Sequence, residues 1–134
     1  MADLSITPSS VATSLGSQVS ATAGVAISAG QAVYLDSTTS TIKLADANAL
    51  LSAAVVGIAV NSAAAGQPIT YQPTGLITIG ATVVTGTAYY LSATAGGICL
   101  ESDLVSGEYV TFLGIATSTT VISLNIVTSS TAKA

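Results

Sequence analysis

The chain has 134 residues, enough for a single domain that buries about two-thirds of its unfolded surface without disulfides or metals. Only eight side chains are charged, six of them acidic, for a net charge of −4 with two Lys, no Arg and no His. So few cations exclude a nucleic-acid partner, and the missing imidazole excludes a triad hydrolase and the commonest transition-metal ligand.

Half of the residues are apolar, yet only five Tyr and one Phe are aromatic. The core must therefore be built from Val, Ile, Leu and Ala in thin, regular layers, while Ser, Thr, Asn and Gln hydrate the surface. A surface so poor in charge resists association weakly, so an oligomer or assembly component is expected. The most apolar window, Ala47–Gly66, is mostly Ala, carries Asn48, Ser52, Asn61 and Ser62, and lacks basic flanks. It does not read as a membrane span. The opening MADLSITPSS has neither a basic nor an apolar signal region, so no secretory leader is expected.

In chain order, residues 1–24 read as an N-terminal arm or edge segment. It is rich in Ser, Thr and Ala, with Leu4, Ile6, Val11, Leu15 and Val19 as isolated apolar side chains. Those five are candidate interface residues, because an arm that orders on a partner needs apolar contact to offset its ordering entropy. Short β-branched runs punctuated by turn clusters follow and predict strands at Gln31–Asp36, Ser40–Ala45, Val55–Asn61 and Pro68–Gln72. Asp46 is expected to cap one helical turn within Asp46–Ala54. Pro68 and Pro73 bracket Ile69–Gln72, which predicts an edge strand there and makes Tyr71 a candidate contact residue, since tyrosine buries area while keeping a polar tip. Further strands are predicted at Gly75–Ile79, Thr87–Ser92, Gly97–Glu101, Tyr109–Ala116 and Thr120–Val127. In the last, Ile122, Leu124 and Ile126 alternate with Val121, Ser123 and Asn125, the pattern of a half-buried strand. Residues 128–134 read as a polar C-terminal tail.

Sliding the sequence on itself exposes an internal repeat. Gly30-Gln-Ala-Val-Tyr-Leu35 matches Gly86-Thr-Ala-Tyr-Tyr-Leu91, and Ile42-Lys-Leu44 matches Ile98-Cys-Leu100, both at an offset of 56; Val56-Gly-Ile-Ala59 matches Leu113-Gly-Ile-Ala116 at 57. The fold class expected is all-β, a small β-barrel or β-sandwich with an internal pseudo-twofold repeat and an extended N-terminal segment. Its two similar halves cover about 25–72 and 75–127 of a β domain spanning 25–127. The alignment sets Cys99 in the slot of Lys43, between apolar neighbours that point the other way. Cys99 is thus expected to face away from the core, under a neighbouring subunit or in solvent, and joins the interface candidates.

No chemistry is expected. Cys99 has no His partner to lower its pKa, and being single it forms no intrachain disulfide. Glu101, Asp103 and Glu108 are the only acidic cluster, but loop carboxylates are ordinary solubilising groups and the spacing matches no calcium loop. The Gly96-Gly97 pair precedes no helix and no Lys, unlike a phosphate-cradling loop. The chain reads as a non-enzyme without cofactor, metal or catalytic residue.

The phrases Ser28-Ala-Gly-Gln-Ala-Val-Tyr-Leu35, Val55-Val-Gly-Ile-Ala-Val-Asn-Ser-Ala-Ala-Ala-Gly-Gln-Pro-Ile69, Leu91-Ser-Ala-Thr-Ala-Gly-Gly-Ile98 and Phe112-Leu-Gly-Ile-Ala116 resemble the head decoration proteins of tailed bacteriophages, also described as capsid cement or head-fibre-like proteins. The resemblance runs from about Ile27 to Ile126. It implies a β-rich virion protein on the exterior of an icosahedral capsid, assembled in the host cytoplasm, with the major capsid protein and copies of itself, as a homotrimer, for partners. The matching positions are turns and core, so the resemblance assigns no functional residue. The alternative reading is a tail-fibre, spike or head-fibre module that binds a host surface glycan or protein.

Overall fold

The computed structural model describes residues 3–133 and contains eleven strands: β1 Val11–Leu15, β2 Val19–Thr22, β3 Ala32–Asp36, β4 Thr41–Leu44, β5 Val55–Ala59, β6 Pro68–Gln72, β7 Thr74–Ile79, β8 Ala88–Leu91, β9 Ile98–Cys99, β10 Tyr109–Ala116 and β11 Val121–Ala132. They form two antiparallel sheets, one of six strands in the order β1-β7-β11-β10-β8-β9 and one of five in the order β2-β6-β5-β3-β4. The sheets stack as a sandwich, which settles the choice between barrel and sandwich.

Each sheet is one copy of the repeat. Strands β2 to β6 make the five-stranded sheet, β7 to β11 make the same pattern in the other, and β1 is added beside β7. Register confirms the equivalence residue by residue. Tyr34 lies opposite Lys43 as Tyr90 lies opposite Cys99, and Leu35 opposite Ile42 as Leu91 opposite Ile98. A β-bulge also recurs: Val33 and Tyr34 face Gly57 and Val55, skipping Val56, while Tyr89 and Tyr90 face Gly114 and Phe112, skipping Leu113.

The repeated glycines have two separate reasons. Gly30 and Gly86 carry φ of 92° and 83°, where a side chain is strained, and both donate their N–H into the bulged strand, to Ala59 and Ala116. Gly57 and Gly114 are needed for close approach. A Cβ at Gly57 would lie 2.7 Å from the Gln72 carbonyl oxygen, and one at Gly114 would overlap the carbonyl oxygen of Ser123 on the equivalent neighbouring strand.

The two copies use their faces differently. Ala32, Val55 and Ile58 of the five-stranded sheet pack against Ile77, Leu91, Leu113 and Ile122 of the six-stranded sheet and form the central core. The opposite face of the five-stranded sheet, with Val33, Ile42 and Ile69, is covered by Ala23, Ile27 and Ala63 from connecting segments. Equivalent residues therefore sit in different clusters: Val33 and Ile42 under the chain's own loops, Tyr89 and Ile98 in the central core.

For residues 1–24, read as an arm or an edge segment, the structure shows the edge, and other expectations change. The N-terminal segment supplies the edge strand of each sheet: β1 pairs with β7, and β2 pairs with β6. Strand β6 is consequently interior, with β2 on one side and β5 on the other, rather than an edge. Pro68 is tolerated because it is the first residue of the strand. The C-terminal residues are not a free tail. Strand β11 runs on to Ala132, which pairs with Tyr109, and the Lys133 N–H donates to the Glu108 carbonyl at 2.7 Å. Hydroxyl-rich sequence conceals this pairing because its hydrogen bonds come from backbone. Met1, Ala2 and Ala134, which belong to the expected arm and tail, lie outside the described residues. Between β4 and β5 the expected capped turn is present as an isolated loop: Asp46 Oδ1 accepts from the Asn48 N–H and the Ser52 hydroxyl, both at 3.0 Å.

Candidate docking surfaces

The predicted interface residues divide sharply. Leu4, Ile6 and Val11 belong to the central core, where Leu4 donates its N–H to the Ile98 carbonyl at 2.8 Å and Thr7 donates to that of Gly80 at 2.8 Å. Leu15 and Val19 remain exposed, Leu15 at 67 %, on either side of the turn by which the chain passes from one sheet to the other. Tyr71 is half-buried: it lies opposite Val19 and Ala59, and its ring occupies the space a Cβ at Gly57 would need.

Cys99 requires a correction. It does point away from Ile98 and the central core, but it is only 1 % exposed, enclosed by Ala47 and Leu104 with Tyr90 and Val110 alongside. The cover comes from the chain's own loops and not from a second subunit. Sequence alternation shows which way a side chain points but not what later folds over it. Burial pushes the thiol up to about 12, and the carboxylates of Asp3, Asp103 and Glu108 push in the same direction. At neutral pH the sulfur is a protonated, apolar filler.

The carboxylates are held in structural roles. Glu108 is buried and its Oε1 accepts the Val105 N–H at 2.9 Å. Glu101 pairs with Lys133 at 3.6 Å, and Lys133 Nζ also donates to the Leu104 and Glu101 carbonyls at 2.8 and 3.2 Å, tying the C-terminus to the turn that covers Cys99. Among the described residues no three Cys, Asp or Glu side chains are grouped to hold a metal ion. Asp36 and Lys43 form an ion pair at 2.7 Å on the edge of the five-stranded sheet; the hydrogen bond from Lys43, then that from the Thr38 N–H, holds the Asp36 carboxyl below its usual range.

Val84, Leu100 and Val105 are exposed singly in connecting segments, and three further surfaces carry exposed apolar side chains. The first is the Leu15–Val19 corner. The second is an end of the sandwich where Leu51, 80 % exposed, separates two clefts: one of about 190 Å³ lined by Leu50, Tyr109 and Val110, the other of about 350 Å³ lined by Tyr34, Leu35 and Asp36. The third is the outer face of the six-stranded sheet, where Ile115 is 44 % and Val127 53 % exposed. The last two include none of the interface residues expected from the sequence. Two consecutive leucines in a turn, Leu50-Leu51, were a legible signal for one, and for the other the equivalence of Ile115 with Ile58 only acquires meaning once the burial of each face is known.

No protein-family model matches this chain, and no curated protein matches it in sequence.

Proposed function

We propose that this chain is a structural virion protein that binds the exterior of a tailed-phage icosahedral capsid and stabilises it, acting as a decoration or cement protein. The observation that carries the reading is the distribution of the surface: exposed apolar side chains lie on separate parts of a charge-poor sandwich, with charge largely confined to loops. A protein that must hold both a capsid and its own copies needs more than one such surface, and repeated weak contacts on a lattice then act together through multivalency. The resemblance of the Gly-Ala-aliphatic phrases to capsid decoration proteins supports the same reading. Mechanically, an oligomer bridging capsid subunits adds binding free energy that opposes the outward pressure of packaged DNA.

The test is attachment of the purified protein to matching heads that lack it, read by sedimentation and cryo-microscopy. Saturable, regularly spaced density on the outer surface is the expected result. No attachment to heads, with binding to host cells instead, overturns it in favour of an adhesin module.

A further inference from the structure

The two repeats close the same seam in different ways. In the first, the chain leaving β2 meets β4 directly: Ala23 bridges Ile42, and the Gly24 N–H donates to the Ile42 carbonyl at 2.8 Å. At the offset of 56 the corresponding residues are Ile79, Gly80 and Ile98. There the Ile98 carbonyl takes the Leu4 N–H at 2.8 Å and the Gly80 carbonyl takes that of Thr7 at 2.8 Å, so residues 4–7 are inserted between the end of β7 and β9. Gly80 carries a φ of 75° whereas Gly24 has no positive φ, which marks the point where the second seam is opened.

The residues lining the second seam make room for the insert. Gly97 stands where the first repeat has Thr41, whose hydroxyl fills the space beside Gly24. A Cβ at Gly97 would lie 2.8 Å from Asp3 Oδ2 and one at Gly80 2.6 Å from the Thr7 carbonyl oxygen, while one at Gly30 would overlap Ile6. Leu4 and Ile6 pack on the central core, and Ser5 and Thr7 are exposed, the alternation of an added strand. Asp3 Oδ1 accepts the Ser92 hydroxyl at 2.7 Å. Main-chain bonds with pockets for alternate side chains are the means by which a sheet edge takes up an extended peptide. A cleft of about 320 Å³, lined by Asp3, Leu4, Ile6, Gln31 and Thr94, opens alongside the segment, and the Pro8–Ser10 turn that follows buries no residue.

We propose that this seam is an acceptor site for an extended Asp-Leu-x-Ile-Thr segment, and that a second copy of this chain supplies the segment by exchange of residues 3–7. Each copy carries both donor and acceptor, and the bonds made are the same within one chain or between two. Only the exposed turn at Pro8–Ser10 changes course, and Leu4 and Ile6 stay covered in the exchanged pair. The site is independent of capsid binding.

An N-acetylated, fluorophore-labelled peptide of residues 3–10 tests the acceptor by anisotropy. The full-length Leu4→Ser/Ile6→Ser chain, whose own segment is weakened, is expected to bind it saturably and at least about 10-fold more tightly than the parent chain, because the parent's seam is already filled. The peptide carrying the same two substitutions is expected not to bind. Tagged Leu4→Ser/Ile6→Ser chain is expected to capture untagged parent chain, which donates its segment, and not untagged chain carrying both substitutions. A double variant that melts cooperatively yet binds no peptide overturns the proposal, and the seam then closes on itself as Gly24 closes on Ile42. Peptide binding without capture of the parent chain overturns the second copy as donor. Should the double variant not fold, hydrogen exchange in the parent decides: the Leu4 and Thr7 amides are expected to exchange at least about 10-fold faster than that of Ile79, and equal protection of all three overturns the proposal.

Discussion

Cys99 shows how far one side chain's neighbours determine its chemistry. Period-two alternation correctly turns it away from Ile98, but its burial depends on Ala47 and Leu104, which arrive from two separate loops. Because burial holds the folded thiol near 12 against an ordinary value of 9.0, the folded state retains its proton where the unfolded chain loses it. Stability therefore falls as pH rises above about 9, by at most about 1.4 kcal/mol per unit, and Cys99→Ala should remove that component from a comparison of melts between pH 8 and 11. In the native protein at neutral pH the thiol should react with a thiol reagent only slowly, through opening of its cover or unfolding. The bulge glycines give a second prediction. Gly57→Ala and Gly114→Ala each drive a methyl into the backbone of the neighbouring strand, so each should destabilise by about 2–3 kcal/mol in denaturant titrations. Gly66→Ala, with open space around it but a φ of 85°, should cost only about 1 kcal/mol.

At the scale of elements, the unexpected features lie at the chain ends. Strands β1 and β2 make one continuous stretch cross from one sheet to the other and complete an edge of each, so the N-terminal segment joins the two repeats. The end of β11 with Lys133 does the same for the Glu101–Asp103 turn. Lys133→Ala removes the donor to the Leu104 carbonyl and should cost about 1 kcal/mol, while raising the rate at which Cys99 is labelled in the native state; mass spectrometry after timed labelling checks it. An unchanged labelling rate would mean that Leu104 stays closed over Cys99 without the clamp. The N-terminal segment was legible only as an arm or an edge and the C-terminal residues only as a tail, because Ser- and Thr-rich sequence has weak alternation and its pairing partners lie far away in the chain: Val11 opposite Ile79, Tyr109 opposite Ala132.

At the scale of the whole molecule, the concentration of charge in loops has a consequence for binding. Contacts made by hydroxyl and aliphatic groups are insensitive to screening, so attachment to heads should persist in about 1 M salt, where charge interactions are screened within about 3 Å; sedimentation of saturated heads across a salt series measures it. A loss of attachment in that range would transfer the contact to Asp46 and the other loop charges or to the Asp36–Lys43 pair at the sheet edge. Leu51→Glu tests the end of the sandwich in the same assay: lost attachment with unchanged mass places the capsid contact there.

Strand existence, the sparse aromatic core, the repeat and the special roles of Gly30, Gly57, Gly86 and Gly114 were present in the sequence by itself, because each follows from local spacing and from the conformations a residue type permits. The register of both hairpins even matches the offset of 56 found by aligning the sequence with itself. What only the tertiary structure decided is which face of each repeat is covered. Alternation defines two faces per strand and is indifferent between them. Ile58 and Ile115 are the same residue in the same local sequence, and one is in the core while the other meets solvent, because burial is set by what packs from elsewhere in the chain. The same reason hid the candidate surfaces: Leu4, Ile6 and Val11 were absorbed by the core and Cys99 by its loops, whereas Ile115, Val127 and Leu51 were left outside.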